Sequence, residues 1–284
     1  MKRAAVVIAV LGVCVCGWAQ DKPAGQTAPA GQAAAAAAPQ GKRPPQAKTQ
    51  PEFDAYKAAI ALTDPAAVEK AADDFAAKFP DSELRVVLYK AAMQRYQMAN
   101  NADKMETMAR KALTLDPDDP EALVGVSQVL AETTHDTDLD KDQKLDEAKK
   151  DAERALATVD TDVPTAGYPP EKIDQFKRYI KSEAYAILGT LASNAKNWPE
   201  AEANLKKSID AFPEQVDSVA VLRLAVALDM QNKVPDALKY ANQAVDLTKD
   251  RPDSPAGKAA RAEQDRLTKL SSGSAPGQPA PQKN

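Results

Sequence analysis

The residues best suited to chemistry in this sequence form an acidic run with the spacing of a calcium-binding loop. Counted from Asp136, acids occupy places 1, 3, 5, 7 and 12, which lets carboxylate oxygens converge on one ion. Place 6 holds Lys141, where such a loop needs glycine for its sharp turn. A solvated acidic turn leading into a helix is therefore the simpler interpretation. The candidate calcium ligands are Asp136, Asp138, Asp140, Asp142 and Glu147.

Other catalytic or metal-binding chemistry lacks the residues it needs. His135 is the only histidine, and the only cysteines, Cys14 and Cys16, lie near the N-terminus. This composition excludes ordinary zinc and iron sites. The sequence also carries no nucleophile elbow, phosphate loop or dinucleotide fingerprint. We therefore predict a protein that is not an enzyme and holds no cofactor.

The N-terminus has the layout of a secretory signal peptide at residues 1–20. A basic start at Lys2 and Arg3 is followed by an apolar run and then by small residues before Gln20. The apolar run is shorter than the roughly 20 residues of a membrane-spanning helix, so cleavage is favoured over anchoring. Both cysteines leave with this segment, and acylation of one of them is the less favoured alternative. We expect an exported protein, periplasmic or extracellular, with no membrane insertion after cleavage.

The charge of the chain argues against nucleic acid as a partner. Its net charge is −4, and removal of Lys2 and Arg3 leaves 35 basic against 41 acidic residues, or −6. An acidic field does not attract phosphate backbones, and aromatic residues, at 5%, are too few for base stacking. Residues 21–50 are rich in Ala, Pro and Gln, and residues 271–284 in Gly and Pro, which predicts two disordered ends.

Residues 51–270 show helical periodicity with an internal repeat of about 34 residues. In the clearest copy, 182–215, the first helix carries Leu188 and Gly189, the second begins near Ala201, and Pro213 closes the unit. This pattern resembles the tetratricopeptide repeat (TPR) family, of an exported bacterial type. The units fall near 51–84, 86–119, 120–163, 182–215 and 218–251, and a cap helix at 254–270 follows.

The third unit is irregular. Leu130 and Ala148 are 18 residues apart where the family has nine, which places a nine-residue acidic insertion in the turn of this unit. After it, prolines interrupt residues 161–170, and from Glu171 one helix is expected to run straight into the fourth unit.

The resemblance implies an all-α fold: a TPR-like right-handed α-solenoid of stacked helix-turn-helix hairpins with a C-terminal capping helix. It also implies a concave surface, lined by first helices, that binds a protein or peptide partner. We expect a non-catalytic interaction module or scaffold of the bacterial cell envelope. The alternatives are a calcium-responsive envelope protein with an EF-hand-like loop, and a subunit of an outer-membrane or secretion assembly. The groove candidates are Lys90, Gln94, Gln97, Gln128, Glu132, Thr190, Asn194, Asp229 and the neighbouring Met230.

Overall fold

The computed structural model describes residues 42–165 and 167–272. The predicted signal peptide, most of the predicted linker and residues 273–284 lie outside this part of the chain. The described residues form α-helices and contain no strand. The helices are α1 (Gln50–Ile60), α2 (Pro65–Lys78), α3 (Leu84–Met98), α4 (Ala102–Leu115), α5 (Pro120–Thr133), α6 (Lys141–Thr158), α7 (Pro170–Asn194), α8 (Trp198–Ala211), α9 (Ser218–Asp229), α10 (Val234–Leu247) and α11 (Pro255–Ser271), with a 3-10 turn at Pro213–Gln215.

Helix ends follow from local sequence. Side-chain oxygens accept a hydrogen bond from a free N–H in the first turn of six helices, and several helices also carry proline there, where a missing N–H costs nothing. The capping residues are Thr49, Asp64, Asn101, Asp119, Asp217 and Ser254. Residues at the start of each of these helices therefore determine where the helix begins.

Successive helices pack as hairpins that stack on one another. α3 pairs with α4, α5 with α6, α7 with α8 and α9 with α10, and α11 covers α10. Helices of neighbouring hairpins are also in contact, for example α4 with α5 and α8 with α9. This confirms the predicted all-α, TPR-like solenoid with a C-terminal capping helix.

The turns of three hairpins share one backbone conformation. Asn100, Lys196 and Asn232 each adopt a left-handed conformation, with φ of 55°, 59° and 60°. In each turn the next N–H donates to a carbonyl five residues earlier, closing the end of the first helix. The α5–α6 hairpin is the exception among those four stacked pairs. It crosses by a seven-residue linker, 134–140, that lacks this turn.

The structure corrects two sequence predictions about irregular segments. The insertion of the third unit lies only partly in its turn, because α6 has 18 residues against 14 in α4, so the insertion also adds a turn of helix. The acidic residue Asp142 in this added turn suits a helix N-terminus.

Residues 42–49 fell within the predicted disordered linker, yet they are ordered against the solenoid through ion pairs described below. The single helix predicted from Glu171 is confirmed, since α7 runs for 25 residues.

Close helix contacts depend on small residues. A Cβ added at Gly189 would lie 2.6 Å from Cγ of Leu205, and one at Gly125 would lie 2.7 Å from Sδ of Met93. No helix in the described ranges is long and apolar enough to cross a membrane.

Candidate peptide-binding cleft

A cavity of about 110 Å³ opens beside α3. Its other walls come from the α4–α5 turn, the start of α5, the α6–α7 linker, α7 and the segment that precedes α1. We call this cavity and its rim the cleft. The walls are apolar and consist of Pro45, Val86, Val87, Ala91, Val163, Pro164, Tyr168 and Phe176. The rim is charged and consists of Lys42, Arg43, Lys90, Asp116, Asp119, Glu121 and Asp162, with Gln94 among them.

The face of α3 that lines the cleft follows from helical spacing. Val86, Lys90 and Gln94 are four residues apart, so they form one row, and Val87 and Ala91 form the next. The row therefore presents an apolar residue, a cation and an amide in succession. This is a surface that can hold both the side chains and the polar groups of a bound segment.

Lys90 is held in ion pairs with residues of the cleft itself. Its Nζ lies 2.8 Å from Oδ2 of Asp119 and 3.1 Å from Oε2 of Glu121, while Gln94 donates to Glu121. The other oxygen of Asp119 caps α5 by accepting from the Ala122 N–H at 2.9 Å. Burial opposes the charged form of Lys90, but the two carboxylates outweigh it and raise the pKa of Lys90 above its ordinary value. Lys90 is therefore a fixed cation rather than a free ligand for a partner.

Residues 42–48, which we call the strap, cross the mouth of the cleft. The strap contains neither helix nor strand. The Lys42 N–H donates to the Thr161 carbonyl at 2.9 Å, and Lys42 Nζ lies 2.5 Å from Asp116 and 3.6 Å from Asp162. Partial burial works against the charge of Lys42, yet Asp116 outweighs it and the pKa of Lys42 is raised. The strap thus joins the α4–α5 turn to the α6–α7 linker.

The second half of the strap contacts the α2–α3 turn. Arg43 lies 2.6 Å from Oε1 of Glu83, and the Gln46 N–H donates to the other oxygen of Glu83 at 3.3 Å. Lys48 Nζ donates to the Asp81 carbonyl at 2.7 Å. The hydrogen bond from Arg43 lowers the pKa of Glu83 below its ordinary value. The strap therefore touches the acidic turns that follow three successive second helices: α2, α4 and α6.

The structure brings only part of the predicted groove together. Lys90 and Gln94 line the cleft, and Gln97 lies half-buried about one turn further along α3. Glu132 and Asn194 are exposed on α5 and α7, away from the residues of the cleft. Asp229 is half-buried and accepts from Arg266 of the capping helix at 2.5 Å, while Met230 is 52% exposed.

Two groove predictions are wrong. Gln128 and Thr190 are only 7% and 3% exposed, and Thr190 Oγ1 donates to the Ala186 carbonyl within its own helix. The physical reason is that the first helices of successive hairpins lie close together, and α5 and α7 are an example. Residues at these positions are therefore covered rather than presented to a partner.

The acidic loop does not gather its five carboxylates around one point. Asp136 pairs with Lys141 at 2.7 Å, and Lys144 lies 3.0 Å from Asp140 and 3.8 Å from Asp138. Asp142 opens α6, and Glu147 pairs with Arg110 of α4 at 2.6 Å. Within residues 42–165 and 167–272, no group of three or more acids, histidines or cysteines is placed to hold a metal ion. Lys141 and Lys144 instead pair with the first three acids of the loop.

Sequence reasoning missed the strap and the acids that bind it. Those residues are Lys42, Arg43, Glu83, Asp116 and Asp162. A signal was present, because an acidic residue recurs shortly after α2, α4 and α6, and adjacent cations precede Pro44. The opposite charges of these distant segments were the sequence feature that could have predicted their contact.

No family model matches the chain, and no curated protein matches it either. Among solved structures, it is similar to PilW, a widely conserved type IV pilus biogenesis factor, with 17% identity, 75% of this chain and 99% of that one covered, and a TM-score of 0.39. It is also similar to residues 1–338 of Acl4, the assembly chaperone of RpL4, with 13% identity, 78% and 99% covered, and a TM-score of 0.39. Likenesses at this level carry no argument about function.

Proposed function

We propose that this protein is a non-catalytic scaffold of the bacterial cell envelope that binds an extended segment of a partner protein in the cleft. One observation carries the proposal: the cleft already holds an irregular peptide segment, the strap, by a main-chain hydrogen bond and by ion pairs to Asp116 and Glu83. A surface that holds one such segment has the groups needed to hold another.

The shape of the cleft supports this use. Stacked hairpins create a continuous surface that no single repeat forms, and the cleft draws on α3, α5, α7 and the connections between the hairpins. The apolar walls accept a side chain, and the charged rim fixes orientation and register. A cavity of about 110 Å³ is of the order that a single aliphatic or small aromatic group fills.

Site-specific photo-crosslinking tests whether the cleft is the binding surface. A photoreactive phenylalanine derivative replaces Gln97, next to the cleft on α3, and in a matched control it replaces Lys149, which is exposed on α6. We expect the probe at position 97 to give a discrete crosslinked partner in envelope extract and the probe at position 149 to give none. Equal crosslinking from both positions, or none from position 97, would contradict the proposal.

Export is tested separately. The observation behind it is the basic, apolar and small-residue order of residues 1–20. N-terminal sequencing of the protein recovered from fractionated cells is expected to give a chain beginning after Ala19 or Gln20 in the envelope fraction. An intact Met1 in the cytoplasmic fraction would remove the envelope from the proposal and leave the cleft untouched.

A further inference from the structure

We propose that the strap is an internal stand-in for the partner segment, and that the cleft selects segments with two adjacent basic residues followed by proline. This inference rests on the proposed function and names the partner chemistry that the cleft takes. The strap itself supplies the pattern as Lys42, Arg43, Pro44 and Pro45.

The charge of the rim favours a basic segment. Within the described part of the chain, the cations that ion-pair with Asp116, Asp162 and Glu83 are Lys42 and Arg43 of the strap. Asp119 and Glu121, by contrast, share Lys90. Release of the strap therefore leaves three carboxylates on the turns after α2, α4 and α6 without those cations. Such a row attracts a segment that carries adjacent positive charges.

The backbone of the strap favours an extended conformation. Proline fixes its own φ and pushes the residue before it toward extended conformations, so Arg43 and Pro44 both favour an extended chain. An extended proline-rich segment loses little entropy on binding and leaves its main-chain groups open to hydrogen bonds. The Lys42 and Gln46 N–H groups use this to reach Thr161 and Glu83. A partner with the same sequence pattern gains the same advantage.

The solenoid holds the strap mainly through exposed residues. Lys42, Arg43, Gln46 and Lys48 are exposed, and only Pro44, Pro45 and Ala47 are half-buried. The Arg43 and Glu83 side chains are 60% and 41% exposed, and Lys42 is 40% exposed beside the half-buried Asp116, so each ion pair contributes little and the strap leaves without unfolding a helix. The apolar cavity lies beside it. A partner segment that pairs with the same carboxylates and also fills this cavity displaces the strap.

The test uses the full chain and a fluorescent peptide of residues 42–50. Its affinity is measured by anisotropy for the wild type, for the double variant Lys42→Ala/Arg43→Ala, and for the control Lys70→Ala/Lys150→Ala. The control removes two lysines from exposed ion pairs with Asp74 and Asp146, far from the strap. We expect the strap variant to bind the peptide about tenfold more tightly than the wild type and the control do.

Further variants identify the binding groups. Adding Asp116→Asn and Glu83→Gln to the strap variant is expected to weaken peptide binding at least tenfold, as is replacing both basic residues of the peptide by glutamine. Thermal unfolding confirms that each variant is folded. Unchanged binding after loss of Asp116 and Glu83, or equal affinity for the wild type and the strap variant, would overturn the inference.

Two other results have a defined meaning. If the wild type forms a concentration-dependent dimer in light scattering, and Lys42→Ala/Arg43→Ala abolishes it, the occupant is the strap of a second copy and the inference about a partner fails. If position 97 crosslinks a partner whose contact peptide has no basic–proline stretch, and the strap peptide does not bind, the scaffold function stands and only this inference is lost.

Discussion

Asp116 and Glu214 both lie in turns that join one hairpin to the next, but their cations come from different parts of the chain. Glu214 follows α8 and pairs with Arg178 of the neighbouring α7 at 2.5 Å. Asp116 follows α4 and pairs with Lys42 of the strap, 74 residues away. Arg178 also pairs with Asp174 and lies over the Phe212 ring, 5.8 Å from its centroid, so it is held within the solenoid.

This difference shows how a stack of similar hairpins acquires one special surface. The C-terminal half, α7–α11, neutralises its acidic turn with Arg178, a cation on a helix of the solenoid itself. The N-terminal half relies on a segment outside the repeats, which can leave without breaking a helix. An opening of this kind restricts binding to the cleft and leaves the rest of the solenoid as a rigid support.

The packing of the two halves differs in the same sense. In the C-terminal half, Gly189 meets the branched Leu205 and its backbone, whereas in the N-terminal half Gly125 meets the flexible Met93 side chain. We expect Gly189→Ala to lower the free energy of unfolding by about 2 kcal/mol through overpacking. Gly125→Ala is expected to change it by less than about 1 kcal/mol, because Met93 can move and alanine favours helix. Urea unfolding of both variants measures the contrast, and equal losses would contradict it.

Glu202 in the C-terminal half pairs with two cations. Its carboxylate accepts from Lys206 at 2.7 Å and from Lys233 at 2.6 Å, and with Gln231 these contacts lower its pKa to about 2. A lowered pKa gives stability that is present above the ordinary pKa of 4.5 and is lost as pH falls toward 2. We expect Glu202→Gln to cost about 1.5 kcal/mol at pH 7. In urea titrations the gap from wild type should close between pH 5 and pH 2, and a gap independent of pH would refute this account.

Asp151 on α6 shows the opposite situation in the N-terminal half. Burial and the nearby Glu147 raise its pKa to about 6, while Arg110 and Arg154 offset this only in part because they pair with Glu147 and Asp118. A raised pKa gives a contribution that is present below the ordinary value and is lost as pH rises through about 6. We expect Asp151→Asn to stabilise the fold by about 1 kcal/mol at pH 8, after allowance for solvent screening.

The control for this prediction is the acidic range. Below about pH 3, under the ordinary pKa of 3.8, Asp151 is protonated in both the folded and the unfolded chain, so the stabilities of Asp151→Asn and the wild type should converge there. A stabilisation that persists below about pH 3 would point to packing rather than charge.

The fold was predictable because its determinants are local. The spacing of Leu188, Gly189 and Ala201 indicates which faces of two helices meet, and the structure confirms the hairpin stack. The same spacing failed for Gln128 and Thr190, since it does not show how closely one hairpin approaches the next.

The cleft was only partly predictable, because charges brought together by the fold define it. Composition predicted disorder through residue 50, and the strap indeed has too few apolar residues for a core. Its order comes from pairing with acids that lie at least 40 residues away in sequence. The acidic loop differs, because it matched a calcium pattern by spacing while the lysines that pair with its acids, Lys141 and Lys144, lie within the same stretch of sequence. Local patterns do not predict the long-range ion pairs of the strap.

Amide hydrogen exchange tests the central claim most directly, because it compares the strap with the fixed half of the solenoid in the same molecule. The Lys42 N–H donates to Thr161 at 2.9 Å, and the Val221 N–H donates to Asp217 at 3.1 Å in the first turn of α9. We predict that Lys42 exchanges at least roughly a hundredfold faster than Val221, and faster still when excess peptide of residues 42–50 displaces the strap. Equal protection of the two amides, unchanged by the peptide, would contradict the claim that the cleft exchanges its own strap for a partner segment.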